Sequence, residues 1–304
     1  MKKMIESVPN ISEGRKEELI EDIADQIEST PGVFLLDVDP DPDHNRTVYT
    51  MAGKPSGIKK AIIKLFGSAT EHIDLNTHQG EHPRMGAVDV VPFVPLQNFS
   101  MEECVKYSEE VARDIYDRFE VPVYLYNESA KQENRRNLSE IRRGEFEGFS
   151  DKIKKPEWAP DIGDSVIHPT AGVTAVGARQ FLIAFNVNLG TEDVAVAKSI
   201  AKSVRESSGG LGFIKALGFE VEKEGRVQVS MNVENYEQTS LFQVFQLIKE
   251  EASRYGVPVM ESEIVGLVPR EPLLDTARYY LQMHDFKPSQ ILENRIEQKR
   301  KDGE

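Results

Sequence analysis

The spacing of apolar residues predicts alternating strands and helices in the first part of the chain. Short apolar runs bounded by turn-forming residues are typical of buried strands. Such runs lie at residues 4–8, 33–38, 47–51, 87–94 and 121–126. Between them, apolar positions three and four residues apart predict amphipathic helices. Ser12, Ser56 and Ser100 are the predicted N-caps of these helices.

The second part of the chain repeats this order without a strict sequence repeat. Strands are predicted at 181–189, 213–221, 227–233 and 257–268, with helices after Thr191 and around 241–248. Strand, helix, strand, strand, helix, strand is the ferredoxin-like order. We therefore expect an α+β fold of two ferredoxin-like α/β subdomains, 1–178 and 179–304, with mixed sheets and helices on the outer faces. A cleft between such subdomains would be the expected ligand site.

Residues 127–172 interrupt this regular pattern. The stretch is charged at first, then rich in Pro and Gly, and it holds Trp158, the only tryptophan. We expect helix followed by a long irregular connection, which in a compact domain is usually functional or disordered. Its basic residues favour a solvated helical face over a ligand site. They are Arg135, Arg136, Arg142, Arg143, Lys152, Lys154 and Lys155.

Composition narrows the classes of protein that fit. The 304 residues have a formal net charge of -14, a sign that repels phosphate backbones and argues against nucleic acid and anionic membranes as partners. A single cysteine, Cys104, predicts a reducing compartment. No apolar run approaches the ~20 residues needed to span a bilayer, and the N-terminus does not read as a secretory signal. These features predict a cytoplasmic protein.

Residues 77–86 carry the most unusual chemistry, with two of the six histidines. His78 and His82 are four apart, a spacing that would suit a metal site on a helix, but Gly80 and Pro83 disfavour a helix here. General acid–base chemistry at His82 fits better, because histidine titrates near neutral pH. A histidine that only hydrogen-bonds its own turn remains the alternative.

Several charged residues near these strand ends are also candidate site residues. Arg84 could hold a carboxylate through two parallel hydrogen bonds. Asp39 and Asp89 either form turns and caps or orient a cation or a histidine. Pattern alone does not choose between these readings.

Several motifs, in one order, resemble the glutamate formiminotransferase family. They are residues 8–14, 36–39, 45–50, 80–86, 121–126, 158–161, 177–179, 181–188 and 265–269. The resemblance implies two α/β subdomains, a homodimer and a folate-binding tunnel between the subdomains. It implies transfer of a formimino group from N-formimino-L-glutamate to N5 of tetrahydrofolate, a step of histidine degradation and one-carbon metabolism. Tetrahydrofolate would be a co-substrate, and no metal is implied.

The resemblance also implies roles for individual residues. His82 matches the family's general base, and we nominate Arg46 and Arg84 for the substrate carboxylates and Asp39 for the formimino cation. The family's folate-contacting segment falls on Gly163, Asp164, Ser165, Val166, Ile167, His168, Pro169, Thr170, Ala171 and Gly172.

Three other functions compete with this one. A 5-formyltetrahydrofolate:glutamate formyltransferase would share His82 and the tunnel, a non-catalytic folate-binding module would not need His82, and a metal-dependent hydrolase would need a metal. Animal members carry a fused cyclodeaminase domain, so the length of this chain leads us to expect no deaminase activity of its own, with a separate cyclodeaminase as a possible partner.

Overall fold

The computed structural model describes residues 3–221 and 225–302. The chain divides into two compact units, residues 1–180 and 181–304. The connection predicted at 222–226 lies mostly outside the described residues. No helix of the described part is long and apolar enough to cross a membrane.

The first unit is built on one mixed sheet. Its described strands are β1 (Met4–Ser7), β2 (Asn10–Ile11), β3 (Val33–Asp41), β4 (Arg46–Gly53), β5 (Val88–Gln97), β6 (Val123–Leu125) and β7 (Thr174–Ala178). β1 and β2 lie between β4 and β5, and β3 pairs with β4 at one end. These antiparallel strands form the predicted ferredoxin-like set, which β7 and β6 extend in parallel beyond β5.

Three helices cover one face of this sheet: α1 (Glu17–Glu28), α2 (Pro55–His72) and α3 (Met101–Phe119). Their apolar stripes pack on sheet residues such as Ile5 and Phe93 in one buried cluster. The capping box at Ser100 and Glu103 is confirmed. The cap predicted at Ser12 is wrong, because α1 begins at Glu17 and the Ser12 hydroxyl donates to the carbonyl oxygen of Gly86 instead (2.7 Å).

The stretch 127–172 is more ordered than its composition predicts. It contains α4 (Leu138–Arg142) and α5 (Glu145–Lys152), which cover the other face of the sheet. Phe149 packs edge-on against Tyr124 of β6, with ring centroids 5.5 Å apart. This second buried layer positions the residues of α4 above β5. The strand β7, which follows this stretch, was not predicted from the sequence.

The second unit has the complete ferredoxin-like order. It consists of β8 (Ile183–Leu189), α6 (Val194–Val204), β9 (Ile214–Val221), β10 (Arg226–Val233), α7 (Leu241–Arg254) and β11 (Val259–Val265), followed by α8 (Arg270–Tyr280) and α9 (Leu292–Asp302). Its antiparallel strands are arranged β11-β8-β10-β9. After β8, a helix, a hairpin, a helix and a strand follow in the predicted order. The α+β fold class is therefore confirmed.

Lys152 stabilises the α4–α5 layer, because its ammonium donates to the carbonyl oxygens of Glu140, Ile141 and Arg143 at 2.6–3.0 Å. It also lies 3.9 Å from the ring centroid of Trp158. Burial lowers the pKa of this ammonium to about 8, so it keeps its proton at neutral pH. It therefore acts as a C-terminal cap for α4.

Lys152→Met should lower the free energy of unfolding by about 1.5–3 kcal/mol, because methionine keeps the packing but leaves carbonyl groups without their charged donor. Urea denaturation would measure this loss. Lys155→Met, at an exposed position three residues away, is the matched control and should change stability little. Equal stability of both variants would show that the cap contributes nothing.

Candidate active site

The segment that carries His82 is tied at its start to the turn between β3 and β4. The His78 ring donates from Nε2 to the carbonyl oxygen of Asn45 (2.9 Å), and the Asn45 amide donates to the carbonyl oxygen of Gln79 (2.9 Å). At Gly80 the two segments are so close that a β-carbon would collide with the backbone of His44. Only glycine fits this approach.

The end of the segment is tied to the predicted folate-contacting stretch. Ala87 N–H donates to the oxygen of Ala171 (3.0 Å), and Val173 N–H donates to the oxygen of Met85 (3.0 Å). Gly172 has φ +68°, and a β-carbon there would collide with the Met85 carbonyl. The parallel pairing of β5 with β7 therefore brings 85–87 and 171–173 together.

His82 is held between these two attachments. Its Nε2 is buried and has no hydrogen-bond partner within the described residues. This nitrogen is therefore not used in a hydrogen bond to its own turn, the alternative considered from the sequence. Burial lowers the pKa of His82 to about 3; the positive charge of Arg142 adds to this and Asp89 opposes it. The imidazole is therefore neutral at physiological pH and able to accept a proton.

A buried ion pair lies next to this segment. The Asp89 carboxylate, 1% exposed, accepts from Met85 N–H at Oδ1 (2.8 Å). At Oδ2 it accepts from Nε and Nη2 of Arg142, at 2.7 and 2.5 Å. Of the two interpretations of Asp89, the structure shows the one in which its carboxylate orients a cation, here the guanidinium of Arg142.

Sequence reasoning missed Arg142, which it assigned with its neighbours to a solvated face. The side chain is only 17% exposed. A signal was present in the sequence, because Asp89 interrupts an otherwise apolar strand and a buried carboxylate requires a charged or hydrogen-bonding partner. The partner lay 53 residues further along the chain, beyond the reach of local pattern.

Arg46 begins β4. Its side chain is half-buried, and its Nε is buried without a hydrogen-bond partner within the described residues. Burial lowers the pKa of this guanidinium, against the field of Asp41. Asp39, nominated with it, is exposed on β3.

Arg84 is already occupied by partners in the protein. Its guanidinium donates to Glu147 through Nη1 (2.9 Å) and Nη2 (2.6 Å), and to Glu145 through Nη1 (3.1 Å). Its Nε donates to Nδ1 of His78 (3.2 Å). These bonds raise the pKa of Arg84. They also hold α5 against the His82 segment, so Arg84 has a structural role in this protein.

Residues 163–172 divide into an open half and an anchored half. Gly163, Asp164, Ser165 and Val166 are exposed. From His168 onward the backbone forms a tight turn, in which Nδ1 of His168 accepts from Ala171 N–H (2.9 Å). Leu75 N–H donates to the carbonyl oxygen of Thr170 (2.9 Å), which joins this turn to the beginning of the His82 segment.

No group of three or more His, Cys, Asp or Glu side chains in the described part of the chain could hold a metal ion. In the His78–His82 pair, both ring nitrogens of His78 already have hydrogen-bond partners in the protein. The two imidazoles are therefore not arranged as a pair of ligands.

Comparison with protein families identifies both units. A model of the formiminotransferase domain, N-terminal subdomain, matches residues 4–179, and a model of the formiminotransferase domain matches residues 184–297. The chain belongs to the formiminotransferase family. The resemblance inferred from its motifs is thereby confirmed.

The chain is similar to proteins named glutamate formimidoyltransferase and to longer proteins named formimidoyltransferase-cyclodeaminase. Glutamate formimidoyltransferase of Streptococcus pyogenes serotype M1 is 48% identical over 97% of this chain and 99% of its own length. The glutamate formimidoyltransferase of Thermoplasma acidophilum is 44% identical, covering 97% of each chain. Formimidoyltransferase-cyclodeaminase of Gallus gallus is 44% identical over 93% of this chain but only 53% of its own length.

Asp89→Asn should destabilise the formiminotransferase by about 3 kcal/mol, because it leaves the Arg142 guanidinium partly buried without its counter-ion. Asparagine can still accept from Met85 N–H, so the loss measures the ion pair. Chemical denaturation would report it. Asp151→Asn removes an exposed pair with Lys154 and should change stability by less than about 1 kcal/mol.

His82 should also make stability depend on pH. In the unfolded chain its pKa is near the ordinary ~6.5, whereas in the folded chain it is lowered to about 3. The unfolded state therefore binds this proton more readily, and the folded state loses stability as pH falls from ~6.5 towards ~3. The difference in unfolding free energy between wild type and His82→Gln should decrease over this range, by at most about 1.4 kcal/mol per pH unit. Parallel profiles would contradict the assignment.

Proposed function

We propose that this protein transfers the formimino group of N-formimino-L-glutamate to N5 of tetrahydrofolate, giving 5-formiminotetrahydrofolate and glutamate. Membership of the formiminotransferase family and the relatives named glutamate formimidoyltransferase support the reaction. The observation that carries the site is a neutral imidazole at His82, whose Nε2 is buried without a hydrogen-bond partner in the described part of the protein and on which the charges of Arg46 and Arg142 act. The reaction belongs to histidine degradation and one-carbon metabolism.

The proposed chemistry needs one group that accepts and returns a proton. N5 of tetrahydrofolate attacks the carbon of the protonated formimino group; a C–N bond forms, the C=N π bond breaks with its electrons passing to the imino nitrogen, and N5 becomes positively charged. His82 accepts the N5 proton, which leaves a neutral tetrahedral intermediate. The C=N bond then re-forms as the bond between the formimino carbon and the glutamate nitrogen breaks, and that nitrogen takes the proton from His82 as it leaves. Imidazole suits both transfers, because it exchanges protons near neutral pH.

Binding of the substrates is assigned to the charged and open parts of the site. Arg46, whose Nε has no hydrogen-bond partner among the residues that the structure describes, is proposed to bind a substrate carboxylate. Asp39, exposed on β3, is proposed to face the formimino cation. Arg84 is not carried forward for a carboxylate, because Glu145 and Glu147 already bind it. Residues 163–172 remain the proposed folate-contacting segment.

The cellular setting follows from the same proposal. We place the enzyme in the cytoplasm as a homodimer that binds a reduced folate and N-formimino-L-glutamate. A separate cyclodeaminase would act on its folate product. Sedimentation equilibrium should give twice the mass of one chain, and a mass of one chain would refute the dimer.

His82→Gln should lower kcat for formimino transfer by roughly 10²–10⁴-fold, the contribution of a positioned general base. The affinity for tetrahydrofolate, measured by calorimetry, should remain close to that of wild type. His284→Gln changes an exposed histidine of the second unit and should leave both quantities unchanged.

The same assay separates the proposed function from its rivals. Wild type should turn over N-formimino-L-glutamate with tetrahydrofolate faster than 5-formyltetrahydrofolate with glutamate. The reverse order would favour the formyltransferase, and folate binding without turnover of either pair would favour a binding module. Undiminished turnover by His82→Gln would remove His82 from its role.

A further inference from the structure

Arg142 lies in the candidate site without a task in the proposed chemistry. Its Nε and Nη2 both contact one oxygen of Asp89, at 2.7 and 2.5 Å. A guanidinium has five N–H donors in a rigid fork, so this pairing leaves the Nη1 edge for a second anion. The neighbouring Arg143 differs, because its side chain is 74% exposed and pairs with Glu140.

Four contacts fix the α4–α5 region, which carries Arg142, relative to the His82 segment. Asp89 binds the guanidinium at Oδ2 and the backbone N–H of Met85 at Oδ1, so one buried carboxylate holds both segments. Phe146 N–H donates to the carbonyl oxygen of Arg84 (2.9 Å). The Arg84 guanidinium binds Glu147 of α5. The guanidinium of Arg142 is therefore fixed relative to the His82 segment, where its charge acts on the imidazole.

The charges around His82 are unevenly compensated. The charged and titratable groups that act on it are Arg142, Asp89, Arg46 and His44. Asp89 is matched by Arg142, and Asp41, which acts on Arg46, accepts from His44 Nδ1 (2.6 Å) and from two backbone N–H groups. Asp39 also acts on Arg46, but it is exposed, where solvent screens its charge. Asp89 acts on Arg46 as well, but the Arg46 Nε is buried without a hydrogen-bond partner in the described part of the chain, as expected for an anion receptor.

We propose that Arg142, oriented by Asp89, binds a carboxylate of the amino-acid substrate together with Arg46, and that this binding increases the basicity of His82. The inference rests on the proposed function and deepens it, because it names a specificity residue, Arg142, and a positioning residue, Asp89. By themselves, the arginine charges oppose protonation of the imidazole. A bound carboxylate neutralises part of that charge.

This arrangement links substrate binding to proton affinity. An imidazole that protonates only near pH 3 is a weak base at neutral pH, and general bases work best when their pKa is near the working pH. A bound anion raises the pKa of His82, and by reciprocity protonation of His82 strengthens binding of the anion. The base therefore becomes effective once the amino-acid substrate is present.

Calorimetric titration of glutamate at pH 6, in buffers of different ionisation enthalpy, measures proton uptake without turnover. Wild type should take up a measurable fraction of one proton on binding glutamate. Arg142→Gln should bind roughly 10- to 100-fold more weakly, as expected for loss of a charge-assisted hydrogen bond, and take up less proton. His82→Gln should bind glutamate but lose the uptake, which identifies the group that titrates.

Two further variants guard against a loss of folding. Arg142→Lys keeps the charge without the two-point contact and should bind with intermediate affinity. Arg143→Gln, at the exposed neighbour, should match wild type in affinity and proton uptake. Circular dichroism checks that each variant is folded.

The outcomes separate this inference from the proposed function. Unchanged affinity and uptake in Arg142→Gln, alongside intact formimino transfer by wild type, would overturn the role of Arg142 alone. Uptake that persists in His82→Gln would place the proton elsewhere and overturn the link to His82. Absence of glutamate binding to wild type would overturn both proposals.

Discussion

The candidate site depends on one buried carboxylate, that of Asp89. A charge taken out of water in the middle of an apolar strand is strongly unfavourable unless it is paired and hydrogen-bonded. Both oxygens of Asp89 are used, one by the backbone after His82 and the other by Arg142. This single group thus joins strand β5, the loop after His82 and helix α4.

The parallel extension of the first sheet supplies the rest of the geometry. β7 pairs with β5 over residues 175–178, and the residues just before β7 meet the end of the His82 segment. Without this extension, the anchored half of 163–172 would have no backbone partner near Gly86. The candidate site therefore combines a connection of the ferredoxin-like core, which carries His82, with the parallel extension that anchors the end of that connection.

The local sequence pattern was sufficient to predict the elements of the ferredoxin-like cores, but not the strand β7 and the buried residues of 127–172 that are added to the first of them. Apolar periodicity predicted the βαββαβ order in both units, because those strands and helices are consecutive and half-buried. It missed β7, a five-residue strand with two alanines and a glycine, whose small side chains give little hydrophobic signal. It also assigned Lys152 to a solvated face, although its stem and ammonium are buried among carbonyl groups and rings. The composition of a charged stretch does not reveal which of its members turn inward.

The same limit applied within the site. His82 could be singled out because glycine and proline around a histidine are rare in regular elements, whereas the partners of Arg84 and Arg142 depended on contacts 53 to 63 residues apart. The guanidinium of Arg84 is suited to binding a ligand carboxylate, but in the folded protein it binds the carboxylate of Glu147. Residue type indicated what each side chain can bind, and only the tertiary structure decided what it does bind.

The close backbone contacts at Gly80 and Gly172 have a consequence for protein engineering. At both positions a β-carbon would meet backbone rather than a movable side chain, so repacking of neighbours cannot relieve the clash. Libraries intended to alter substrate range should leave these two glycines fixed and vary exposed positions such as Ser165 and Val166. The bend that presents the histidine is a part of the scaffold that tolerates almost no diversity.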